Sequence, residues 1–226
     1  MTLIALIGGL LHRWPPTRLE KMMPVLLGLS AGSLLGGALF HLLPHAWEHD
    51  PGASMIGLAT GTLMMVMLEG RWWRGARTPE KARHQLGWLI IAGDAVHNLV
   101  GGLAVGSAFL VSEEKGWSAW MAAALHELPQ ELGDYGVLLF AGWKRAHALL
   151  ANWLAALPFL AGVLLVLLLP LGHALEHHLL ALGAGNFLYI ALIGVTPQIW
   201  NRYRQRPGAW IAFLMALATL ALSGSH

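Results

Sequence analysis

Apolar runs about as long as a bilayer is thick follow one another along this chain, and few folds are open to such a pattern. A hydrocarbon core of about 30 Å takes roughly 20 helical residues at a rise of about 1.5 Å each. Eight windows approach or reach that length between charged or turn residues: Met1–Leu11, Pro24–Pro44, Ser54–Glu69, Gln85–Val111, Trp117–Gly142, Ala146–Leu169, Leu171–Ile193 and Gly208–Leu222. The first is short for a span, so either further residues precede it or it is a half-length helix shielded by its neighbours. Inside lipid, a helix satisfies its backbone polar groups within its own segment. The expected fold class is therefore all-α: a polytopic membrane protein of eight transmembrane helices, the first one short, forming a single domain over residues 1–226.

Composition agrees with that expectation. Hydrophobic residues make up 56% of the chain and charged residues 12%, too little polar surface to cover a soluble globule. With no cysteine, disulfides and thiolate metal sites are excluded, and metal chemistry is left to histidine, carboxylate, amide and backbone oxygen. Met1–Leu11 lacks a basic leader and a cleavage site, so a signal peptide is not expected.

A sequence pI near 9.2 would suggest nucleic acid in a soluble protein, but here the basic residues sort by loop. Arg13, Arg18 and Lys21 follow the first window; Arg71, Arg74, Arg77, Lys81 and Arg83 follow the third; Lys144 and Arg145 follow the fifth; Arg202, Arg204 and Arg206 follow the seventh. Thus 13 of the 14 lysines and arginines occupy odd-numbered loops, and Lys115 alone an even one. Cytoplasmic loops of membrane proteins are enriched in such residues, which places both termini outside. Lipid, rather than nucleic acid, is the expected environment. Trp72, Trp73, Trp117, Trp143 and Trp200, near span ends, read as an interfacial belt.

Two spans carry groups that lipid penalises. The fourth holds Asp94, His97 and Asn98, and the fifth holds His126, Glu127, Gln130, Glu131 and Asp134. An ionisable residue inside a span costs a few kcal/mol or more, and by default it marks a pathway. His126, Gln130 and Asp134 share one helical face, Glu127 and Glu131 an adjacent stripe. The two spans run antiparallel, so His97 and His126 both fall near the midplane. Pro129 removes a helical hydrogen bond between them and opens the backbone toward a ligand. Imidazole from His97 and His126, carboxylate from Glu127 and Glu131, and amide oxygen from Asn98 and Gln130 suit a borderline divalent cation such as Zn²⁺ or Fe²⁺. A structural polar network between packed helices, or a proton relay, would use the same residues. Toward the outer end, His41, His45, Glu48 and His49 close the second span, and His173, Glu176, His177 and His178 open the seventh. These groups read as a funnel that captures metal. Asp94, Glu131 and Asp134 lie toward the cytoplasm and read as an exit.

Four segments resemble motifs of the ZIP (Zrt/Irt-like) metal transporter family. Ala31-Gly-Ser-Leu-Leu-Gly-Gly-Ala-Leu-Phe-His-Leu-Leu-Pro44 is similar to the family's second helix. Gly93-Asp-Ala-Val-His-Asn-Leu-Val-Gly-Gly102 and His126-Glu-Leu-Pro-Gln-Glu-Leu-Gly-Asp134 are similar to its fourth and fifth, and Ala184-Gly-Asn-Phe-Leu-Tyr-Ile-Ala-Leu192 to its seventh. The resemblance implies a homodimer with both termini outside and a bacterial inner-membrane location. It also implies alternating-access uptake of Zn²⁺, or of Fe²⁺, Mn²⁺ or Cd²⁺, as substrate. By position it implies His97, Asn98, His126, Glu127 and Gln130 as ligands. Glycine stands where acids are usual at 37 and 101, Gln130 replaces a histidine, and Leu157 takes the place of a bridging carboxylate in some relatives. An intramembrane zinc hydrolase is disfavoured because the fifth span lacks HExxH; a non-transporting metal binder is the other alternative.

The chain has no native cysteine, so topology can be tested directly. A single Lys115→Cys substitution is expected to react with an impermeant maleimide on intact cells, and Lys144→Cys only after permeabilisation. The opposite pattern would invert the orientation.

Overall fold

The computed structural model describes residues 3–48, 50–73, 78–168 and 173–223. They form eight helical rods. α1 is a 3-10 turn, Ile4–Gly8, continued by Gly9–His12. α2 runs Pro16–Trp47, with a π-turn at Gly37–Leu42. α3 is Pro51–Trp73, α4 is Pro79–Val111 and α5 is Glu113–Phe140. α6 is Arg145–Leu168, interrupted at Leu157 ahead of Pro158. α7 comprises His173–Tyr189, a π-turn Ile190–Val195, and Thr196–Tyr203; α8 is Pro207–Ser223. Five of these rods (α2, α3, α4, α6 and α7) contain stretches long and apolar enough to cross a membrane, and α8 is a shorter apolar helix. The protein is an all-α polytopic membrane protein.

Several helices extend past the apolar windows because polar caps carry them on. The Thr78 hydroxyl accepts from the Lys81 amide (3.3 Å) and starts α4 in the basic loop. Ser112 caps α5 by accepting from the Lys115 amide (3.2 Å), with Glu113 and Glu114 in the favourable first turn. α5 closes at Gly142, whose φ of +86° is the left-handed turn that glycine takes without strain. α1 is as short as its window and packs on α5 and α6.

The bundle is held by pairs: α2 with α8 and α5, α3 with α7, and α4 with α5 and α6. Phe187, Leu27, Leu34, Met65 and Ile90 are fully buried in the main core. Ile56, Met67, Leu110, Leu164, Leu192 and Met215 face outward, as lipid demands. Close approach depends on missing side chains. A Cβ at Gly32 would run into the Phe213 carbonyl of α8, and one at Gly102 into the Phe159 carbonyl of α6.

The odd-numbered junctions meet at one end of the bundle. Arg145 Nη1 donates to the Trp14 carbonyl (2.6 Å), His84 stacks on Trp143 (5.4 Å between centroids), and Arg202 lies over Phe140 (5.2 Å). That end gathers the basic residues, as the loop pattern predicts. Gly32→Val is expected to lower stability by about 1–3 kcal/mol, the cost of overpacking, read as a lower thermal midpoint in detergent; an unchanged midpoint would mean that α2 and α8 can separate freely.

Candidate metal site

Asp94, His97 and Asn98 recur at i, i+3 and i+4 on α4, and Glu127, Gln130, Glu131 and Asp134 at i, i+3, i+4 and i+7 on α5. Each set therefore lines one face. The two faces meet, and all seven side chains are at most 3% exposed. His97 Nε2 lies 3.3 Å from Glu127 Oε1. The Phe187 ring of α7 lies against the imidazole at 4.5 Å between centroids. His126 sits on α5 beside Glu127, and its side chain lies outside the described residues.

Below the His97–Glu127 pair the donors become oxygen. Asp94, Glu127 and Glu131 each present a carboxylate oxygen, all within 4.8 Å of one another. Asp94 Oδ1 accepts from Asn98 Nδ2 (2.9 Å) and from Gln130 Nε2 (3.2 Å), so two amides from the two helices clamp one carboxylate. Glu131 accepts a short hydrogen bond from Asn152 Nδ2 of α6. The Asn152 amide also reaches the carbonyls of Glu131 (3.4 Å) and Ala5 (3.5 Å), tying α1 and α6 to the cluster. Ser30 of α2 donates to Asp134 Oδ1 at 2.9 Å.

These donors leave an excess of acceptors. Asp94 Oδ2, Glu127 Oε2, Glu131 Oε1 and Asn98 Oδ1 are buried and have no hydrogen-bond partner among the described residues. Buried acceptors without a donor each cost about 1–3 kcal/mol. No lysine or arginine forms an ion pair with the cluster among the described residues. Convergent, donor-poor, anionic oxygens beside an imidazole can coordinate a divalent cation.

Of the residues singled out from the sequence, the structure brings Asp94, His97, Asn98, Glu127, Gln130 and Glu131 together. Asp94, read as part of an exit, stands within the cluster because its turn of α4 faces Glu127 and Glu131 across the helix pair. Asp134 is one turn further along, engaged with Ser30. At the outer end, His41 sits in the π-turn of α2, close enough to His97 for their charges to interact. His45 and Glu48 are exposed at the end of α2. The first segment of α7 packs on this part of α2; the side chains of His173, Glu176 and His177 lie outside the described residues, as does His49. Gly101 faces Phe159 of α6, and Gly37 faces Phe187, which backs His97.

Three polar residues escaped the sequence reading. Asn152 is a lone amide in the sixth apolar window, where the expense of burying a polar group was the available clue. Asn186 lies in the quoted α7 motif, fully buried, with no partner for either amide atom among the described residues. Ser30 is lost among the small residues of α2.

The sequence profile of a family described as ZIP Zinc transporter matches residues 75–222. The chain is 45% identical over 130 residues to "Zinc transporter ZIP4" of Mus musculus, covering 58% of this chain and 19% of that protein. It is 33% identical over 192 residues to "Zinc transporter ZIP13" of Pongo abelii, covering 77% of this chain and 58% of that protein. To "IAA-alanine resistance protein 1" of Arabidopsis thaliana it is 42% identical over 116 residues, covering 51% of this chain and 25% of the relative. The chain thus spans about a fifth of the mouse protein and a little over half of the orangutan one.

Asn152→Leu is expected to cost about 1–3 kcal/mol, because the Glu131 carboxylate loses its donor. The same change in a Glu131→Gln background should cost measurably less. Equal costs in the two backgrounds, measured by unfolding in detergent, would deny the coupling.

Proposed function

The chain belongs to the ZIP zinc transporter family, and from that premise we propose that it carries divalent transition-metal ions through the membrane, with Zn²⁺ as the first substrate. The observation that carries this reading is the buried group of acceptor oxygens from Asp94, Asn98, Glu127 and Glu131, which lack donors among the described residues and lie beside His97 between α4 and α5. Such a group needs a cation, and its place inside apolar helices puts that cation on a path across lipid. The relatives named as zinc transporters support the choice of metal.

In this reading His97, Glu127, Asn98 and Gln130, with His126, receive the ion. The adjoining oxygens of Asp94 and Glu131 receive it next, and Asp134 leads it onward. The histidines of α2 and α7, His41, His45, His173 and His177, with Glu48 and Glu176, collect it from the outer side. Uptake into the cytoplasm by alternating access follows from the site's enclosure, since an ion held by side chains at most 3% exposed must be released by a rearrangement. Both termini outside, a homodimer and a bacterial inner-membrane location complete the proposal. The protein acts as a carrier and not as an enzyme.

Gly101 and Gln130 replace stronger ligands, which favours a second reading: a relative that binds metal without moving it. Reconstituted vesicles distinguish the two. Zn²⁺ uptake should be present in the wild type and reduced at least about ten- to a hundredfold by His97→Ala or Glu127→Ala, the scale on which metal-site changes act. Saturable Zn²⁺ binding without uptake would establish the second reading.

A further inference from the structure

At the basic end, α3, α4 and α7 enclose a cavity of roughly 240 Å³ that lies apart from the α4–α5 cluster. Its floor is apolar: Leu89 and Ile190 are at most 3% exposed. Its polar wall carries Arg83, Arg202, Glu69 and Gln198. Both guanidiniums lie near the same Phe140 ring, 5.9 Å from its centroid for Arg83 and 5.2 Å for Arg202. Neither forms an ion pair among the described residues, and Glu69, on the same cavity, does not close on either. The Nε–H of Arg83 is buried without an acceptor among the described residues.

An arginine side chain cannot shed its charge, and its fork of N–H donors matches phosphate oxygens. Two guanidiniums converging on one cavity without a carboxylate partner repel one another until an anion arrives. They also repel a divalent cation, so this cavity does not suit the metal. The level of the cavity identifies the anion's source. Trp88 against Trp143 (4.8 Å) and Trp200 against Trp210 (6.2 Å) mark the headgroup zone at this end. The volume is below the roughly 300 Å³ at which ordinary ligand pockets begin, enough for a headgroup while acyl chains stay outside. Ile193, on the same wall, is 56% exposed and offers those chains an apolar path.

We propose that this cavity binds the phosphodiester headgroup of a membrane phospholipid, its phosphate held between Arg83 and Arg202 and its glyceryl end resting on Leu89 and Ile190. Metal binding between α4 and α5 is not required for it.

Native mass spectrometry of the full chain released from detergent micelles, with dioleoylphosphatidylglycerol as probe, tests the assignment. The wild type is expected to retain one lipid. Arg83→Gln with Arg202→Gln should weaken retention about tenfold or more, consistent with loss of two charge-assisted contacts. Arg204→Gln with Arg206→Gln removes the same charge outside the cavity and should retain the lipid. Circular dichroism checks that each variant is folded, and Arg83→Lys with Arg202→Lys, which keeps the charge but loses the fork, should fall between wild type and the glutamine pair. Equal retention by wild type and the Arg83/Arg202 glutamine pair would overturn the proposal. So would equal loss in both glutamine pairs, which would make the effect one of general charge. Binding of water-soluble glycerophosphate as tight as that of the lipid would assign the cavity to a free phosphate and overturn the lipid.

Discussion

Carboxylates placed side by side within a bundle of apolar helices set the terms for the rest of this structure. Two unit charges 4.8 Å apart repel by about 3 kcal/mol at an effective dielectric of about 20, and α4 and α5 bring three carboxylates within that separation. Everything polar nearby answers this repulsion. Asn98 and Gln130 clamp Asp94, Asn152 holds Glu131, and Ser30 holds Asp134. These donors come from α2, α4, α5 and α6, so the acids recruit helices that apolar packing alone would leave free to slide. The donors are too few to use every oxygen, and the shortfall is what a cation can make good.

Much of this could be read before any coordinates. The alternation of basic loops depends on where charge can be left during membrane insertion, a one-dimensional property, and it gave eight spans that the helices follow. Helical spacing likewise placed Asp94, His97 and Asn98 on one face and the acids of α5 on another. What remained hidden was the register between helices. Asp94 reads as displaced from His97 along its own helix, yet across the pair it faces Glu127 and Glu131. Nothing local in a sequence states which turn of α4 meets which turn of α5. Asn152 illustrates a different gap: its partner lies 21 residues away on another helix, and only packing of the broken α6 against α5 joins them. Helix ends were misjudged because hydropathy stops at the first charge, whereas capping by Thr78 and Ser112 does not.

The two ends of the bundle differ in chemistry. The end reached by His41 and His45 offers neutral nitrogen and scattered carboxylate, suited to weak and exchangeable metal contacts. The opposite end offers guanidinium and indole, suited to phosphate and to the headgroup layer. A metal ion crossing between them would leave a region that attracts it for one whose fixed charge does not. The carboxylates of Glu131 and Asp134, rather than the loops, would then supply its last favourable contacts.

The π-turn at Gly37–Leu42 of α2 has a bearing on how this segment tolerates changes in length. A π-turn holds one residue more than an α-turn, and one residue corresponds to about 100° of rotation about the helix axis. Removing a single residue there would restore a regular helix, so the backbone itself would lose nothing. The chain beyond it would nevertheless be re-aimed by that angle, carrying His45 and Glu48 to a different side of the bundle while the segment before it kept its packing on α8. Over this stretch, alignment gaps matter more than residue identities: two relatives with the same histidines but one residue's difference in length would present those histidines to different surroundings.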